Sequence, residues 1–244
     1  MTRRRWIADI VHENIAALTG EHAAHLGRVL RAQIGQEFDV ACGDVVRRGR
    51  IISISDNRVE FALGEEVATQ AAAELTLALA IFKFDRMEWA IEKCTEVGVA
   101  RIIPVIAQRT DAHLAAAAAK RHERWIRLAR QAAEQSRRVT PPEISAPMKL
   151  KELNNAGGVL STDAVAPRVV LAESETKASL RDVLSSSTGE AVLAIGPEGG
   201  WTDDELAWFR DSGWIMASLG QTILRAETAA IVAAALAMDF LRQE

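Results

Sequence analysis

The chain has 244 residues, of which 49% are hydrophobic and 25% are charged. This composition supplies a core for one large domain or two small ones and excludes a disordered chain. The formal net charge of −4 argues against a protein coated in basic surface, and the two distant cysteines, Cys42 and Cys94, show no metal-ligand spacing.

Two further patterns bear on location. Asp9, His12 and Glu13 interrupt the apolar run that a signal peptide would need after the basic residues 3–5. The longest apolar stretch, residues 229–238, is about half as long as a bilayer requires. Two cysteines are most simply reduced thiols, so we expect a soluble, cytoplasmic protein without a metal.

Residues 1–72 predict a small β-barrel. Short strands are expected near residues 5–11, 37–41, 45–55 and 58–63, separated by glycine and asparagine turns. Residues 21–32 instead have the 3.6-residue period of a helix. We predict a first domain over residues 1–72, with a polar, alanine-rich linker at residues 65–74.

From residue 73 onward, strands and helices alternate. Residues 75–82 and 102–106 are apolar runs, and residues 85–97 between them form an amphipathic helix that ends at Gly98. This alternation predicts an α/β domain over residues 73–244, with a parallel sheet covered by helices on both faces.

A long helix is predicted over residues 113–138. It carries a stripe of basic residues at spacings of three and four, namely Lys120, Arg121, Arg124, Arg127 and Arg130, with Arg137 and Arg138 at its end. Such a stripe can be only the solvated face of a helix. Residues 113–150, however, carry 8 Lys/Arg against 3 Asp/Glu, whereas residues 151–244 carry 7 against 14. This bias favours contact with a polyanion such as RNA.

Two glycine-marked turns follow apolar runs in the last third of the chain. The first is Gly196-Pro197-Glu198-Gly199-Gly200, where Gly199 and Gly200 permit positive φ, and Thr202 with Glu205 forms a capping box that starts a helix. The second begins at Leu219-Gly220 and leads into an alanine-rich helix over residues 228–241. We expect the two turns side by side at the carboxyl edge of the sheet, where open α/β folds bind ligands. A third strand, residues 169–172, brings Glu173 to the same edge.

Charge narrows the choice of ligand. A phosphate-binding loop points free amides and a positive helix dipole at its anion, usually with a lysine nearby. Here the helix opens with Asp203, Asp204 and Glu205, which neutralise that dipole, and the turn contains no lysine. The turns therefore suit a neutral or cationic ligand, such as an adenosine that carries a sulfonium.

These motifs resemble one known family. The first turn, Leu219-Gly220 and the run Ile223-Leu224-Arg225-Ala226-Glu227-Thr228-Ala229 look like the signature of the RsmE family of SPOUT (trefoil-knotted) RNA methyltransferases. The resemblance extends in order to Asp85-Arg86-Met87-Glu88-Trp89, Glu96-Val97-Gly98-Val99 and Glu134-Gln135-Ser136. It covers most of residues 75–240.

The resemblance implies a fold, an activity and partners. In the family, a PUA-like RNA-binding barrel precedes a SPOUT α/β-knot methyltransferase domain, which forms a homodimer. The implied reaction is methylation of N3 of one uridine in 16S ribosomal RNA by S-adenosyl-L-methionine, on the RNA or the small ribosomal subunit. The small residues of the last helix would then add a dimer interface, with packing inside the domain as the alternative. No membrane or metal is expected.

The resemblance also implies site residues. The walls of the cofactor site would be Leu171, Ala172, Glu173, Gly196, Pro197, Glu198, Gly199, Leu219, Gly220, Leu224 and Ala229. RNA would contact arginines of the first domain, the first strand–helix loop and the basic stripe, namely Arg3, Arg4, Arg28, Arg31, Arg86, Arg121, Arg124 and Arg138.

Arg225 is the expected catalytic residue, because a fixed cation beside the base stabilises the uridine anion as N3 ionises. The alternative for Arg225 is a structural salt bridge to Glu227 or Glu198. Either carboxylate could also accept the N3 proton, and the sequence leaves the general base open.

Two positions depart from the family pattern. Gln221-Thr222 stands where a proline or a basic pair is common, which weakens any phosphate contact from that loop. Arg137 stands where glycine is common and could extend the basic stripe.

Two other functions remain open. The same fold and cofactor could act on tRNA or another rRNA position, although residues 85–88 and the amino-terminal barrel favour the first assignment. A catalytically silent RNA-binding or assembly protein is the other, and the intact glycine turns with Arg225 argue against it.

Overall fold

The computed structural model describes residues 5–68, 73–155, 166–185 and 189–242. Arg3 and Arg4 lie outside these residues, as does the segment 69–72 within the predicted linker. The chain divides into two compact units: residues 1–71 with 133–141, and residues 72–132 with 142–244.

The first unit contains one six-stranded sheet. Its strands are β1 (Arg5–Ile7), β2 (Ile10–His12), β3 (Ile15–Thr19), β4 (Glu37–Cys42), β5 (Val45–Ile54) and β6 (Arg58–Val67). They are ordered β1-β4-β5-β6-β3-β2, with β1 parallel to β4 and the other pairs antiparallel. The two edge strands, β1 and β2, are consecutive in the chain, so the sheet curls round its own core.

The core of the first unit is built on the inward side of this curled sheet. Trp6, Leu18, Leu26, Ile51 and Phe61 are fully buried there. Helix α1 (Gly20–Ala24) supplies a further buried residue and continues into one π-helical segment, His25–Val29. The single helix predicted over residues 21–32 is therefore wrong in its end and in its regularity.

The second unit alternates strands and helices. Its elements are β7 (Glu74–Ala80), α2 (Phe84–Val97), β8 (Arg101–Ile106), α3 (Ala112–Gln135), β9 (Glu143–Ile144), β10 (Met148–Lys149), a 3-10 helix (Leu150–Asn155), β11 (Arg168–Leu171), α4 (Leu180–Leu184), β12 (Glu190–Ile195), α5 (Asp203–Asp211), β13 (Ile215–Ala217) and α6 (Ala226–Leu241). The last residues of α3 belong to the first unit. The sheet is parallel throughout its described strands, in the order β10-β8-β7-β12-β11-β13, with β9 beside β8. The predicted parallel α/β sheet is confirmed.

Both faces of this sheet are covered. Along β7, Leu75, Leu77 and Leu79 join one apolar cluster with residues of α2, α3 and α6, while Ala78 and Ala80 join another with residues of α5. A strand whose two faces are both buried is apolar at nearly every position, which is why residues 75–82 form a continuous apolar run.

The ends of two helices bear on the prediction. Gly98 has φ 119° and ends α2, as predicted, with its amide donating to the Cys94 carbonyl at 3.1 Å. Helix α6 begins at Ala226, two residues earlier than expected, with Arg225 as its N-cap. The small residues of α6 are mostly buried in the unit's own core, which favours internal packing over an interface: Ala230, Ala233, Ala234 and Ala237. None of the described helices combines the length and the apolarity needed to cross a membrane.

The backbone conformation at Arg137 explains why the family commonly has glycine at this position. Its φ is 60°, in the left-handed region that glycine adopts without strain, and its carbonyl accepts a hydrogen bond from the Arg5 guanidinium. A glycine is therefore the expected residue here on conformational grounds, and arginine occupies the position at a cost in backbone energy.

We predict that Gly49→Ala destabilises the first unit. A Cβ at Gly49 would lie 2.5 Å from Val40 Cγ2 and 3.2 Å from Phe61 Cβ, and both neighbours are fully buried. Overpacking of this kind costs about 1–3 kcal/mol. Urea unfolding followed by circular dichroism should show the loss. Gly27→Ala is the matched control, because its Cβ would make only an ordinary 3.5 Å contact with Ile54; equal midpoints for the two variants would contradict the prediction.

Candidate functional site

Three loops meet at the carboxyl edge of the second unit's sheet. Strand β11 lies between β12 and β13, with Val170 beside Ala194 and Leu171 beside Ala217. The loops that follow these strands therefore leave the sheet together. The sequence suggested that the two glycine turns are neighbours. In the structure β11 and the loop that contains Glu173 lie between them.

The loops enclose a cleft of about 370 Å³, to which the start of α6 and Arg109 also contribute. All the residues expected to form the cofactor walls line it: Leu171, Ala172, Glu173, Gly196, Pro197, Glu198, Gly199, Leu219, Gly220, Leu224 and Ala229. Arg225 and Glu227 are not part of the lining, although Leu224 and Ala226 beside them are. The assignment of these residues to a cofactor stays a prediction.

The glycines of the first turn serve different purposes. Gly200 has φ +68°, whereas Gly199 has no positive φ, so the expectation of positive φ holds for Gly200 alone. At Gly196 a Cβ would lie 3.2 Å from the indole Nε1 of Trp201. Gly196 is therefore needed because the indole packs on its backbone, and the turn can keep its tight shape at the cleft wall.

The predicted capping box is confirmed. The Thr202 hydroxyl accepts from the Glu205 amide at 3.3 Å, and the Thr202 amide donates to Glu205 Oε2 at 2.9 Å. Glu205 is buried, and its other oxygen accepts from the Gln108 amide at 2.7 Å. One carboxylate thus caps α5 and also ties the loop after β8 to the first glycine turn.

Arg109 is a cleft residue that sequence reasoning missed. Its Nη1 donates to the carbonyl oxygens of Gly199 at 2.5 Å and Trp201 at 3.2 Å. It follows the strand β8, so its position just beyond a predicted strand at the carboxyl edge was the signal that could have found it. Arg109 holds the two ends of the turn's Gly199–Trp201 segment by their main-chain oxygens.

The charges on the cleft wall favour a cationic ligand. Three acidic residues, Glu173, Glu198 and Asp203, line the cleft with one arginine, Arg109. Asp203 also stands in the first turn of α5, followed by Asp204 and Glu205. These carboxylates offset the positive end of the α5 dipole, so the helix terminus is not an anion site.

Arg86 makes the ion pairs that were considered for Arg225. Its Nη1 donates to Glu198 Oε1 at 2.9 Å, and its Nε lies 3.7 Å from Glu227 Oε1. The side chain of Arg225 is exposed and makes no hydrogen bond or ion pair with any residue that the structure describes. Its alternative role as a structural salt bridge to Glu198 or Glu227 is therefore not observed.

Two arginines of the basic stripe are bound to a carboxylate of α2. Arg124 donates to both Glu88 oxygens, at 2.7 and 2.8 Å, and Arg121 Nη1 lies 3.4 Å from Oε1. Hydrogen bonding to Glu88 raises the pKa of the Arg124 guanidinium. Lys120 and Arg127 are exposed and have no ion-pair partner in the described part of the chain. Arg124 is also exposed, so Lys120 and Arg127 differ from it in having no carboxylate partner rather than in being accessible.

The arginines of the first unit that were expected to contact RNA also differ in pairing and exposure. Arg28 lies 3.1 Å from Asp56 at the surface, and Arg31 is exposed with φ 51°. Arg138, also assigned to this unit, is half-buried, and its amide donates to the Ala133 carbonyl at 2.9 Å. RNA contact by these residues stays a prediction.

No cluster of three or more His, Cys, Asp or Glu side chains among the described residues is arranged to hold a metal ion. Cys94 is fully buried in α2, and burial raises the pKa of its thiol to about 12. Its protonated thiol packs as a small apolar side chain in the core and offers no nucleophile.

Comparison with known proteins agrees with this geometry. A family described as "RNA methyltransferase domain" matches residues 69–238. A Synechocystis protein named "Ribosomal RNA small subunit methyltransferase E" is 33% identical over 224 residues, covering 91% of this chain and 72% of its own length. The Rickettsia conorii protein of the same name is 32% identical over 239 residues, covering 95% and 93%.

A solved structure is similar over the whole chain. It is the ribosomal RNA small subunit methyltransferase E of Neisseria gonorrhoeae bound to S-adenosyl methionine, with a TM-score of 0.85, 26% identity and 98% of each chain covered. The family match and the two relatives cover most of this chain at about one-third identity. The chain therefore belongs to the ribosomal RNA small subunit methyltransferase E family.

Proposed function

We propose that this protein is an S-adenosyl-L-methionine-dependent methyltransferase that acts on N3 of a uridine in 16S ribosomal RNA. The observation that carries the proposal is the cleft at the carboxyl edge of the sheet, walled by three loops and by carboxylates, in a chain of this family. The relatives are named as small-subunit ribosomal RNA methyltransferases, and the Neisseria protein is described as bound to S-adenosyl methionine.

The residues of the cleft fit this cofactor. A volume of about 370 Å³ is within the range of roughly 300–1,000 Å³ that small-ligand sites occupy. Glycine turns offer main-chain groups to an adenosine, and Glu173 and Asp203 offset positive charge. When bound, S-adenosyl-L-methionine supplies a methyl group that its sulfonium makes electrophilic.

Arg225 is the residue we propose for catalysis. Its side chain is exposed beside the cleft-lining residues Leu224 and Ala226, and no described carboxylate binds it. A cation beside the base stabilises the negative charge that develops on a uridine as N3 loses its proton. The protein's contribution is then alignment of the base together with stabilisation of this charge.

Glu198 is the better candidate for the proton acceptor. Its side chain is 37% exposed and lines the cleft, whereas the Glu227 side chain is only 5% exposed and is absent from the lining. A general base must come within hydrogen-bond reach of the proton that it removes. Exposure at the cleft therefore favours Glu198 over Glu227.

We also propose that the first unit is a PUA-like barrel that contacts RNA and that the second unit has the SPOUT knot. For the barrel, support comes from the curled sheet whose two edges are consecutive strands. For the knot, β12 lies between β7 and β11, and α6, which follows the last strand, packs against α2 and β7.

A homodimer belongs to the same proposal. The small residues of α6 are used in the core, so an interface would have to use apolar side chains that remain exposed on the second unit. Trp89 and Ile223 are two of these, at 47% and 79% exposure. Tryptophan is enriched at protein interfaces relative to the rest of the surface, so Trp89 is the stronger of the two candidates.

The reaction is tested directly by product mapping. Small subunits and naked 16S RNA that lack the modification are incubated with the protein and isotope-labelled S-adenosyl-L-methionine, and mass spectrometry locates the label. We expect one uridine methylated at N3. Label found only in a parallel tRNA sample would favour the tRNA alternative, and absence of cofactor binding by calorimetry would favour a silent RNA-binding protein.

Arg225→Ala should lower kcat by at least about 100-fold, because it removes a charge that stabilises the ionised base. Cofactor affinity measured by calorimetry should stay close to that of the unmodified protein, since Arg225 does not line the cleft. Arg210→Ala removes another exposed arginine, from α5, and serves as the control. A near-normal rate for Arg225→Ala would remove this residue from the mechanism.

Replacing both Lys120 and Arg127 by Ala should weaken RNA binding and flatten its dependence on salt. Each lost phosphate contact lowers the slope of log K against log salt by about 0.7 for a single-stranded site. Lys93→Ala is the control, because Lys93 is already paired with Glu92 and Glu96 at 2.7 and 2.8 Å. An unchanged slope in the double variant would make the stripe a solvated face only.

A further inference from the structure

We propose that Arg86 is a positioning residue for methyl transfer, which pairs with the buried Glu227 so that Arg225 stays unpaired, and which joins the first glycine turn to α6 in the cleft wall. This inference rests on the proposed function. It replaces the role in RNA binding that the sequence suggested for Arg86.

The guanidinium of Arg86 connects three elements. Arg86 lies in the first turn of α2, Glu198 in the glycine turn after β12, and Glu227 in the first turn of α6. The distances are 2.9 Å from Nη1 to Glu198 Oε1 and 3.7 Å from Nε to Glu227 Oε1. One side chain therefore links a loop and a helix that both contribute residues to the cleft wall.

Glu227 depends on this contact. Its side chain is 5% exposed, and within the described part of the chain its Oε2 has no hydrogen-bond partner. A buried carboxylate left without a cation is strongly unfavourable. If Arg86 were absent, the cation nearest in sequence to Glu227 would be Arg225, two residues before it, at the N-cap of α6.

The ion pairs of Arg86 thus determine whether the Arg225 guanidinium is free to contact a substrate. With Glu198 and Glu227 both paired to Arg86, the Arg225 guanidinium stays unpaired and accessible to a substrate. Without Arg86, Glu227 would draw Arg225 inward and away from the base.

The walls of the cleft would also move apart. Pro197 and Gly199 flank Glu198, and Ala226 and Ala229 stand beside Glu227, and all four residues line the cleft. Arg86 therefore fixes the spacing between the first glycine turn and α6. A small error in that spacing misaligns the reacting atoms, which lowers kcat more than it lowers affinity.

The test compares three single variants in steady-state methylation of 16S RNA. Arg86→Ala should lower kcat by about 10- to 100-fold with little change in the KM for RNA, as misalignment does. Arg86→Lys keeps one positive charge and should recover part of the rate. Arg101→Ala is the matched control, because Arg101 pairs with Glu143 at 2.9 Å at the start of β8, on the opposite edge of the sheet.

A double variant separates the capture of Arg225 from a loss of folding. Glu227→Gln removes the buried charge, so Arg86→Ala with Glu227→Gln should turn over faster than Arg86→Ala alone. Circular dichroism and calorimetric affinity for S-adenosyl-L-methionine confirm that each protein is folded. Equal or lower rates in the folded double variant would overturn the inference.

A second result would also overturn it. If Arg86→Ala raised the KM for RNA and flattened its salt dependence while kcat was unchanged, Arg86 would be an RNA contact. The wild-type protein and Arg101→Ala must be active in the same assay. If neither methylates RNA, the proposed function fails; if both are active and Arg86→Ala is unimpaired, the positioning role alone fails.

Discussion

The parallel pairing of β11 with both β12 and β13 is the constraint on which the site depends. Because parallel strands end at the same edge, their three loops must leave the sheet together, although they are far apart in the chain. The apolar residues of β12 and the middle of β11 are buried, so the centre of this edge is packed within the fold. The cleft is then a consequence of strand order, and its chemistry is set by which side chains the loops carry.

Carboxylates decide what that cleft can bind and what the neighbouring arginines can do. Glu173 and Asp203 on the wall, with the acidic first turn of α5, favour a cation over a phosphate. The Glu205 carboxylate accepts hydrogen bonds from the Thr202 and Gln108 backbone amides, so it stabilises the turn and is not part of the cleft lining. The acidic residues therefore differ in role. Those on the cleft wall suit the positively charged sulfonium of the family's cofactor.

Local chemistry could be predicted from the sequence, and long-range pairing could not. Two helix-end signals depend only on neighbours within a few residues, and both are found as expected. They are the capping box of Thr202 and Glu205 at the start of α5 and Gly98 at the end of α2. The insertion of β11 between the two glycine turns depends on sheet order, which periodicity does not encode. The position of Arg109 after β8 could have been used to place it near the cleft, but its contacts with Gly199 and Trp201, about 90 residues away, could not be predicted.

The arginines show most clearly why charge pattern alone misleads. Spacing on α3 made Arg121, Arg124 and Arg127 equivalent, yet Glu88 of α2 binds the first two, and the third has no ion-pair partner among the described residues. At the cleft, the sequence offered Glu198 and Glu227 as partners for Arg225, yet α2 supplies Arg86 to both. In each case the cation that pairs with a carboxylate is decided by distance in space and not by spacing along the chain. The cations without an internal partner, such as Arg127, are then the ones that can bind a nucleic acid without first giving up an ion pair.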